Sequence, residues 1–97
     1  MTFNELINSD KPVLVDFYAD WCAPCRAMKP ILEELKSNLG DSVSIFKIDV
    51  DKNQAVSDKF DVRSIPTLIF FKNGKPMWRK SGIASATELK NAFKSIS

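Results

Sequence analysis

Apolar residues recur with two different periods in the first half of the chain, and the change of period predicts where a strand gives way to a helix. Residues 13–18 are almost continuously apolar, as is typical of a strand buried on both faces. From about residue 22 to residue 38, apolar residues return every three or four positions, which predicts an amphipathic helix that stops at Gly40. The apolar positions of this helix are Ala27, Met28, Ile31, Leu32, Leu35 and Leu39.

A second strand and a short helix are predicted in the middle of the chain. Residues 43–50 have the composition of a strand, and Asp51-Lys52-Asn53 is typical of the turn that ends it. A short helix follows, and its predicted inward side chains are Ala55, Val56 and Phe60.

The last third predicts a hairpin and a closing helix. Residues 67–72 and about 77–80 are predicted strands, joined by Asn73-Gly74, the strongest short hairpin signal. Two capping boxes mark helix starts: Thr2 with Glu5 opens a first helix to about Asn8, and Ser85 with Glu88 opens the last one. The inward positions of the last helix are Leu89, Ala92, Phe93 and Ile96.

The predicted order of elements is α-β-α-β-α-β-β-α, which indicates an α/β fold. A strand–helix–strand unit requires a parallel pair of strands, whereas the hairpin adds an antiparallel pair. We therefore expect a mixed four-stranded sheet flanked by helices on both faces. Residues 1–97 are predicted to form one domain, because no linker, repeat or low-complexity segment divides them.

Composition narrows the classes of function. The chain is 44% hydrophobic and 27% charged with a formal charge of +2, and its lysines and arginines are scattered, so we expect neither nucleic acid nor a membrane surface as a partner. The N-terminus lacks a basic segment followed by a long apolar one, which favours a cytoplasmic protein. In that compartment a dithiol is kept reduced and works catalytically. At this size a monomer is the expected state.

The chain has two cysteines, Cys22 and Cys25, in a C-x-x-C arrangement between the first strand and the long helix. Free backbone N–H groups and the positive end of the helix dipole favour a thiolate at such a position. Two thiols at this spacing can close a small disulfide ring and reopen it without unfolding the protein. The pair therefore predicts a redox site.

Two other interpretations of the cysteine pair are weaker. A closed zinc site needs two further Cys or His ligands, which this chain does not have, although a metal shared between two chains is not excluded. A purely structural disulfide across so short a loop would remove little unfolded-state entropy and would stabilise the fold only slightly.

The chain resembles the thioredoxin family over nearly its whole length. Five motifs in the order of that family carry the resemblance. They are the segments 15–25, which contains Trp21-Cys22-Ala23-Pro24-Cys25, then Lys47-Ile48-Asp49-Val50-Asp51, Arg63-Ser64-Ile65-Pro66-Thr67, Phe71-Lys72-Asn73-Gly74, and Gly82.

The chain departs from the family in two places. Ala23 stands where the family usually has Gly, and the added methyl group is expected to shift the redox potential modestly and narrow the docking surface. The chain also begins about ten residues late, so the family's first strand is expected to be missing. Strand 43–50 should then be a sheet edge that can pair with another chain.

The resemblance implies roles for four residues in the chemistry. Cys22, the first cysteine, is the expected nucleophile, and Cys25 is expected to resolve the mixed disulfide. Asp16 is a carboxylate in an apolar strand, where burial would raise its pKa. In the family such a residue lies beneath the second cysteine and takes its proton. Lys47 could pair with Asp16 and tune it. The alternatives are an outward-facing Asp16 and a solvated Lys47.

The resemblance also implies a substrate-binding surface. Pro66 is expected to be cis and to face the disulfide, although sequence alone would favour a trans proline. The backbone of Ile65 is expected to pair with bound substrate as an added strand. A small apolar patch around the thiol is expected to dock substrate, with Ala23 at its rim. This patch comprises Trp21, Pro24, Ile65, Gly82 and Ile83.

Three functions are compatible with these observations. The leading one is a reductase of protein disulfides that needs no cofactor beyond its own disulfide; without a nicotinamide or flavin fingerprint, it would receive electrons from a separate thioredoxin reductase. The second is a thiol oxidase or isomerase, although such relatives commonly carry His between the cysteines, where this chain has Ala23-Pro24. The third is a non-catalytic module docked through strand 43–50.

Overall fold

A computed structural model describes residues 2–97 of the chain. It contains four α-helices and four strands in the predicted order, with a short 3-10 turn at Gly40–Ser42. The helices are α1 (Phe3–Ile7), α2 (Ala23–Leu39), α3 (Gln54–Lys59) and α4 (Ala86–Ile96). The strands are β1 (Val13–Tyr18), β2 (Ser44–Asp49), β3 (Thr67–Lys72) and β4 (Lys75–Ser81).

The four strands form one mixed sheet in the order β2-β1-β3-β4. β1 pairs with β2 in parallel, with Val13 beside Ser44 and Asp16 beside Lys47. β1 and β3 are antiparallel, as are β3 and β4. The predicted mixed four-stranded α/β sheet is therefore confirmed, and β2 lies at one edge as expected.

The predicted turn and helix starts explain how this chain makes these elements. Asn73 and Gly74 have φ values of 53° and 79°, the left-handed conformation that a two-residue hairpin turn requires. Thr2 and Ser85 each accept a hydrogen bond from the backbone of the glutamate three residues later, and that glutamate bonds back in both capping boxes.

Each face of the sheet buries its own hydrophobic cluster. α2 and α4 cover one face, where Leu14, Leu68 and Phe70 from the strands are fully buried. α1 and α3 cover the other face, which is rich in aromatic residues. The buried members of that second cluster are Ile7, Val13, Val15, Phe17, Ile69 and Phe71, with Phe3 and Phe60 packed against them.

One prediction for α3 is wrong. Ala55 was expected to face inward, but it is exposed, and Ser57 is the buried residue of this helix. α3 has only six residues, and Val56 with Phe60 at spacing i, i+4 form its inner stripe. Ala55 is one position before Val56 and is therefore rotated by about 100° away from that stripe.

Within residues 2–97, no helix is long and apolar enough to cross a membrane.

Candidate active site

The two cysteines form a disulfide where the loop after β1 enters α2. Their Cα atoms are 5.3 Å apart. Cys22 is the N-cap of α2, and its Sγ accepts a hydrogen bond of 3.2 Å from the backbone N–H of Cys25. Pro24 lies in the first turn, where its fixed φ suits the helix and its missing N–H costs no hydrogen bond. The helix N-terminus therefore presents a donor directly to the first sulfur, which favours negative charge there.

Both cysteines are covered by protein. Cys22 and Cys25 are each 4% exposed, so the expected nucleophile is no more accessible than its partner in the disulfide form. Cys22 Sγ lies 3.8 Å from the carbonyl oxygen of Ile65. Ala19, Tyr18, Val50 and Ile65 pack around the pair. The Ile65 contact explains why the first sulfur is as covered as the second.

The loop before β3 supplies the wall opposite the disulfide. The Ile65–Pro66 peptide bond is cis, as the family resemblance implied. Pro66 is buried and Ile65 is half-buried. The carbonyl of Pro66 accepts a hydrogen bond of 2.8 Å from the N–H of Gly82. This bond joins Gly82, which directly follows β4, to the loop that holds Ile65 and Pro66.

Gly82 leaves the surface beside that loop open. Its φ of 96° is a left-handed conformation that side chains rarely adopt. Apart from its two chain neighbours, no described residue has an atom within 4 Å of where a Cβ would be, so the glycine is required by its backbone conformation and not by crowding. The open surface is compatible with an approaching polypeptide.

Large apolar side chains lie exposed next to these segments. Trp21 is 71% exposed and Ile83 is 47% exposed, although both are apolar. Ala23 and Pro24 are exposed as well. Trp21 directly precedes Cys22, and Ile83 follows Gly82. The structure thus provides the exposed apolar groups of the predicted docking patch, whose role in binding stays a prediction.

Asp51 orients Trp21, a role that was not predicted from the sequence. The indole N–H of Trp21 donates to Asp51 Oδ2 at 2.9 Å, and the N–H of Asp51 donates to Asp49 Oδ1 at 2.9 Å. Asp51 was assigned to a turn and to one of the family motifs, without a contact to Trp21. A signal for this contact was present in the sequence. Asp51 follows β2 and Trp21 follows β1, and the carboxyl ends of parallel strands meet at one edge of the sheet.

Asp16 is buried without a polar partner. Its side chain is 0% exposed, and neither carboxylate oxygen has a hydrogen bond. Residues alternate along β1, so Asp16 shares with Leu14 the face that α2 and α4 cover. Burial raises the pKa of Asp16 from 3.8 to about 6, against the opposing effect of the Lys47 charge. The outward-facing alternative for Asp16 is therefore wrong.

The predicted pairing of Lys47 with Asp16 is wrong, and the alternative of a solvated Lys47 is the one that the structure shows. The two residues are direct neighbours in the parallel register, yet they make no ion pair. Lys47 is exposed, and its Nζ lies over the ring of Tyr18, 4.6 Å from the centroid. The ammonium group stays in solvent because the interior around Asp16 would desolvate it. Lys47 therefore affects the pKa of Asp16 only through the electrostatic field of its charge.

A small cavity connects Lys47 with the second cysteine. It has a volume of about 150 Å³, and Cys25, Tyr18 and Lys47 are among its lining residues. Arg26 also lines it, and its guanidinium donates to the carbonyl of Asp20 at 3.0 Å. Two cations thus border the space next to Cys25. Sequence reasoning missed Tyr18 and Arg26.

Residues 2–97 contain no group of three or more His, Cys, Asp and Glu side chains placed to hold a metal ion.

Comparison with known proteins identifies the family. The family model described as Thioredoxin matches residues 1–95. The chain is 47% identical over 89 residues to thioredoxin Y, chloroplastic, of Oryza sativa. That match covers 91% of this chain but only 53% of the rice protein. It is 48% identical over 84 residues to a thioredoxin-like protein of Synechocystis, covering 87% of the chain and 80% of that protein.

A solved structure agrees with this match. A mutant thioredoxin from Halobacterium salinarum superposes with a TM-score of 0.86 at 35% identity, over 96% of this chain and 80% of that one. The fold is thus the thioredoxin fold, and the chain belongs to the thioredoxin family. Family membership and the Cys22–Cys25 disulfide together support thiol–disulfide oxidoreductase chemistry at this site.

Proposed function

We propose that the chain reduces disulfides in other proteins by dithiol–disulfide exchange and is itself re-reduced by a separate thioredoxin reductase. The observation that supports this most directly is a disulfide whose first sulfur caps a helix N-terminus and lies beside the Ile65–Pro66 loop. Its substrates are disulfide-containing proteins, and its compartment is the cytoplasm or another one that keeps thiols reduced.

The first step forms a mixed disulfide. The Cys22 thiolate attacks one sulfur of the substrate disulfide, a bond forms between the two proteins, and the other substrate sulfur leaves as a thiolate that takes a proton from solvent. The N–H of Cys25, which bonds Cys22 Sγ in the oxidised form, is placed to stabilise the attacking thiolate.

The second step releases the substrate. Cys25 loses its proton and attacks Cys22 Sγ, so that the intramolecular disulfide forms and the second substrate thiol leaves. Two electrons pass from the chain to the substrate. Asp16 is the proposed acceptor of the Cys25 proton, because a carboxyl group with a pKa of about 6 is mostly ionised at neutral pH and still basic enough to accept it.

Substrate binding is proposed to use the surface around the disulfide. The backbone of Ile65 borders the Cys22 sulfur, and an extended substrate segment can pair with it as an added strand. Trp21, Pro24 and Ile83 offer exposed apolar area for the flanking side chains. Ala23 lies between the cysteines and limits how closely the substrate backbone can approach.

Trapping tests the order of attack. Cys25→Ser keeps the proposed nucleophile but cannot resolve the mixed disulfide, so it should accumulate covalent complexes with substrate proteins that dithiothreitol releases. Cys22→Ser is the matched control and should trap far less. If neither variant forms such complexes, or if the Cys22→Ser variant traps as well as Cys25→Ser, the proposed mechanism is wrong.

The midpoint potential separates a reductase from an oxidase. Equilibration in graded dithiol buffers, followed by alkylation and mass measurement, gives the fraction of oxidised protein. We expect a midpoint near the roughly −270 mV already known for thioredoxins as a family. A midpoint near about −120 to −180 mV would instead assign an oxidase or isomerase.

A further inference from the structure

The segment that joins α3 to β3 carries Ile65, and few bonds within the segment hold its backbone in place. Ile65 forms part of the wall opposite the disulfide, with its carbonyl oxygen 3.8 Å from Cys22 Sγ. No described residue accepts a hydrogen bond from the backbone N–H groups of Arg63, Ser64 or Ile65. The position of Ile65 therefore depends on the contacts at the two ends of the segment.

Two hydrogen bonds fix the end next to β3. The hydroxyl group of Thr67, which is fully buried, donates to the carbonyl of Ser64 at 2.6 Å. On the other side of Ile65, the carbonyl of Pro66 accepts the hydrogen bond from the N–H of Gly82. These bonds attach the residues around Ile65 to the start of β3 and to the end of β4.

Arg79 of β4 holds the end next to α3. Its guanidinium donates to the backbone carbonyls of Phe60 and Asp61, the second at 2.7 Å. Arg79 pairs with Ile69, which belongs to the cluster beneath α1 and α3, and residues opposite each other on paired strands share a face of the sheet. The side chain of Arg79 therefore extends towards α3. A planar guanidinium donates to two acceptors in a fixed geometry, which an ammonium group does not.

The backbone at Asp61 is in a conformation that needs such support. Its φ is 54°, in the left-handed region that is uncommon for residues other than glycine. Residues in this region persist where their surroundings hold them, and they cluster at ligand-binding sites. The preceding ring is held as well, because Phe60 packs edge-on against Phe71 with 5.1 Å between the centroids. Arg79 thus binds the two carbonyls at the point where the chain turns from α3 towards Ile65.

The neighbouring basic residue of β4 has a different contact. Lys80 pairs with Glu88 of α4 at 2.6 Å. It lies beside Leu68 in the register, on the face that α2 and α4 cover. Among residues 2–97, Arg79 is thus the charged side chain of β4 that bonds to the segment before β3.

We propose that Arg79 is a positioning residue for substrate binding, because it sets the backbone of Ile65 where an added substrate strand can pair beside Cys22. Arg79 touches neither the substrate nor the sulfurs, and it acts through the carbonyls of Phe60 and Asp61. This role rests on the proposed function, since it concerns how polypeptide substrates pair with Ile65. Disulfides without a polypeptide backbone should not depend on Arg79.

The test compares oxidation of the reduced chain by insulin, a protein disulfide, and by bis(2-hydroxyethyl) disulfide, which has no backbone to pair. The reaction is quenched with acid, and the remaining thiols are alkylated and counted by mass. Arg79→Met keeps the length of the side chain but removes its donors. It should raise the half-saturating insulin concentration about three- to tenfold and leave the plateau rate within about twofold of the parent. The rate with the small disulfide should not change.

Two further variants separate positioning from charge and from stability. Arg79→Lys keeps a donor without the fixed fork and should give a half-saturating insulin concentration between those of the parent and Arg79→Met. It also provides the test if Arg79→Met does not fold. Lys80→Met removes one positive charge from the next position of β4 and should behave like the parent.

Three results would each overturn the role of Arg79. They are an unchanged half-saturating insulin concentration in the Arg79 variants that fold, an equal shift in Lys80→Met, and equal slowing with both disulfides, which would indicate a purely structural role. A parent chain that reacts with the small disulfide but not with insulin would overturn the proposed function, and the role of Arg79 with it. Normal reduction of insulin by the parent supports that function whatever Arg79→Met does.

Discussion

β1 supplies side chains to both faces of the sheet, and the two faces differ in chemistry. Val13, Val15 and Phe17 enter the aromatic cluster beneath α1 and α3. Leu14 and Asp16 lie on the face covered by α2 and α4, and there a fully buried carboxylate has no hydrogen-bond partner. One six-residue strand therefore contributes stabilising contacts on one face and an unfavourable charge on the other.

The difference indicates what each face does. An ionised carboxylate without partners in the interior is destabilising, and evolution could have replaced it with a leucine of similar size. The face that holds Asp16 also holds α2, whose first turn contains Cys25. We infer that the carboxylate is kept for proton transfer and that the aromatic face offsets its cost.

Removing an aromatic ring from the second face should give the largest effect on stability. Phe17 is fully buried and lies 6.3 Å from the ring of Phe3. Phe17→Ala should lower the free energy of unfolding by about 3–5 kcal/mol, as is typical for a buried phenylalanine. Urea unfolding measures this loss.

The midpoint potential of the cysteine pair is the control for that substitution. It should stay unchanged in the folded fraction, because Phe17 faces away from the site. Phe17→Leu provides a milder version if the alanine variant does not fold. A potential that moved with either variant would show that the two faces are not independent.

Removing the charge of Asp16 should raise stability at neutral pH. The folded protein holds the Asp16 proton more tightly than the unfolded chain, so this group's contribution to stability is complete below about pH 4 and is lost as the pH rises through about 6. The rise from 3.8 to about 6 corresponds to about 3 kcal/mol.

Asp16→Asn cannot ionise and should therefore gain up to about 3 kcal/mol at pH 8 and almost nothing at pH 4. Urea unfolding of the oxidised protein at both pH values measures the difference. An Asn variant that loses stability between pH 4 and pH 8 as steeply as the parent would assign the dependence to another group.

The same substitution should slow catalysis. If Asp16 accepts the Cys25 proton, Asp16→Asn should slow the release of substrate from the mixed disulfide by about 100-fold at pH 7. That factor is the lower end of what a positioned base contributes. The rate against pH should also lose its inflection near pH 6. Stopped-flow measurement of the second step isolates this effect. An unchanged rate and profile would leave Asp16 with a structural role only.

Most of the fold followed from local pattern. The helix caps, the Asn73-Gly74 turn and the change of period near residue 22 are encoded by neighbouring residues, and all lie where they were predicted. Contacts between distant segments were harder to predict. No local pattern indicates that Ile65 covers the Cys22 sulfur or that Asp51 holds Trp21, because loops from different parts of the chain meet there.

The smallest expected effect concerns Lys47, which lies on the border between the buried carboxylate and solvent. Its charge lowers the pKa of Asp16, so Lys47→Gln should raise that pKa above about 6. Because the ammonium group is exposed, this change in the pKa of Asp16 should correspond to less than about 1 kcal/mol. The inflection in the rate of the second step should move to higher pH, and added salt should shrink the difference from the parent by screening the charge. Lys75→Gln, on the far edge of the sheet, should leave the inflection in place. If both substitutions moved it equally, the effect would come from net charge and not from the neighbour of Asp16.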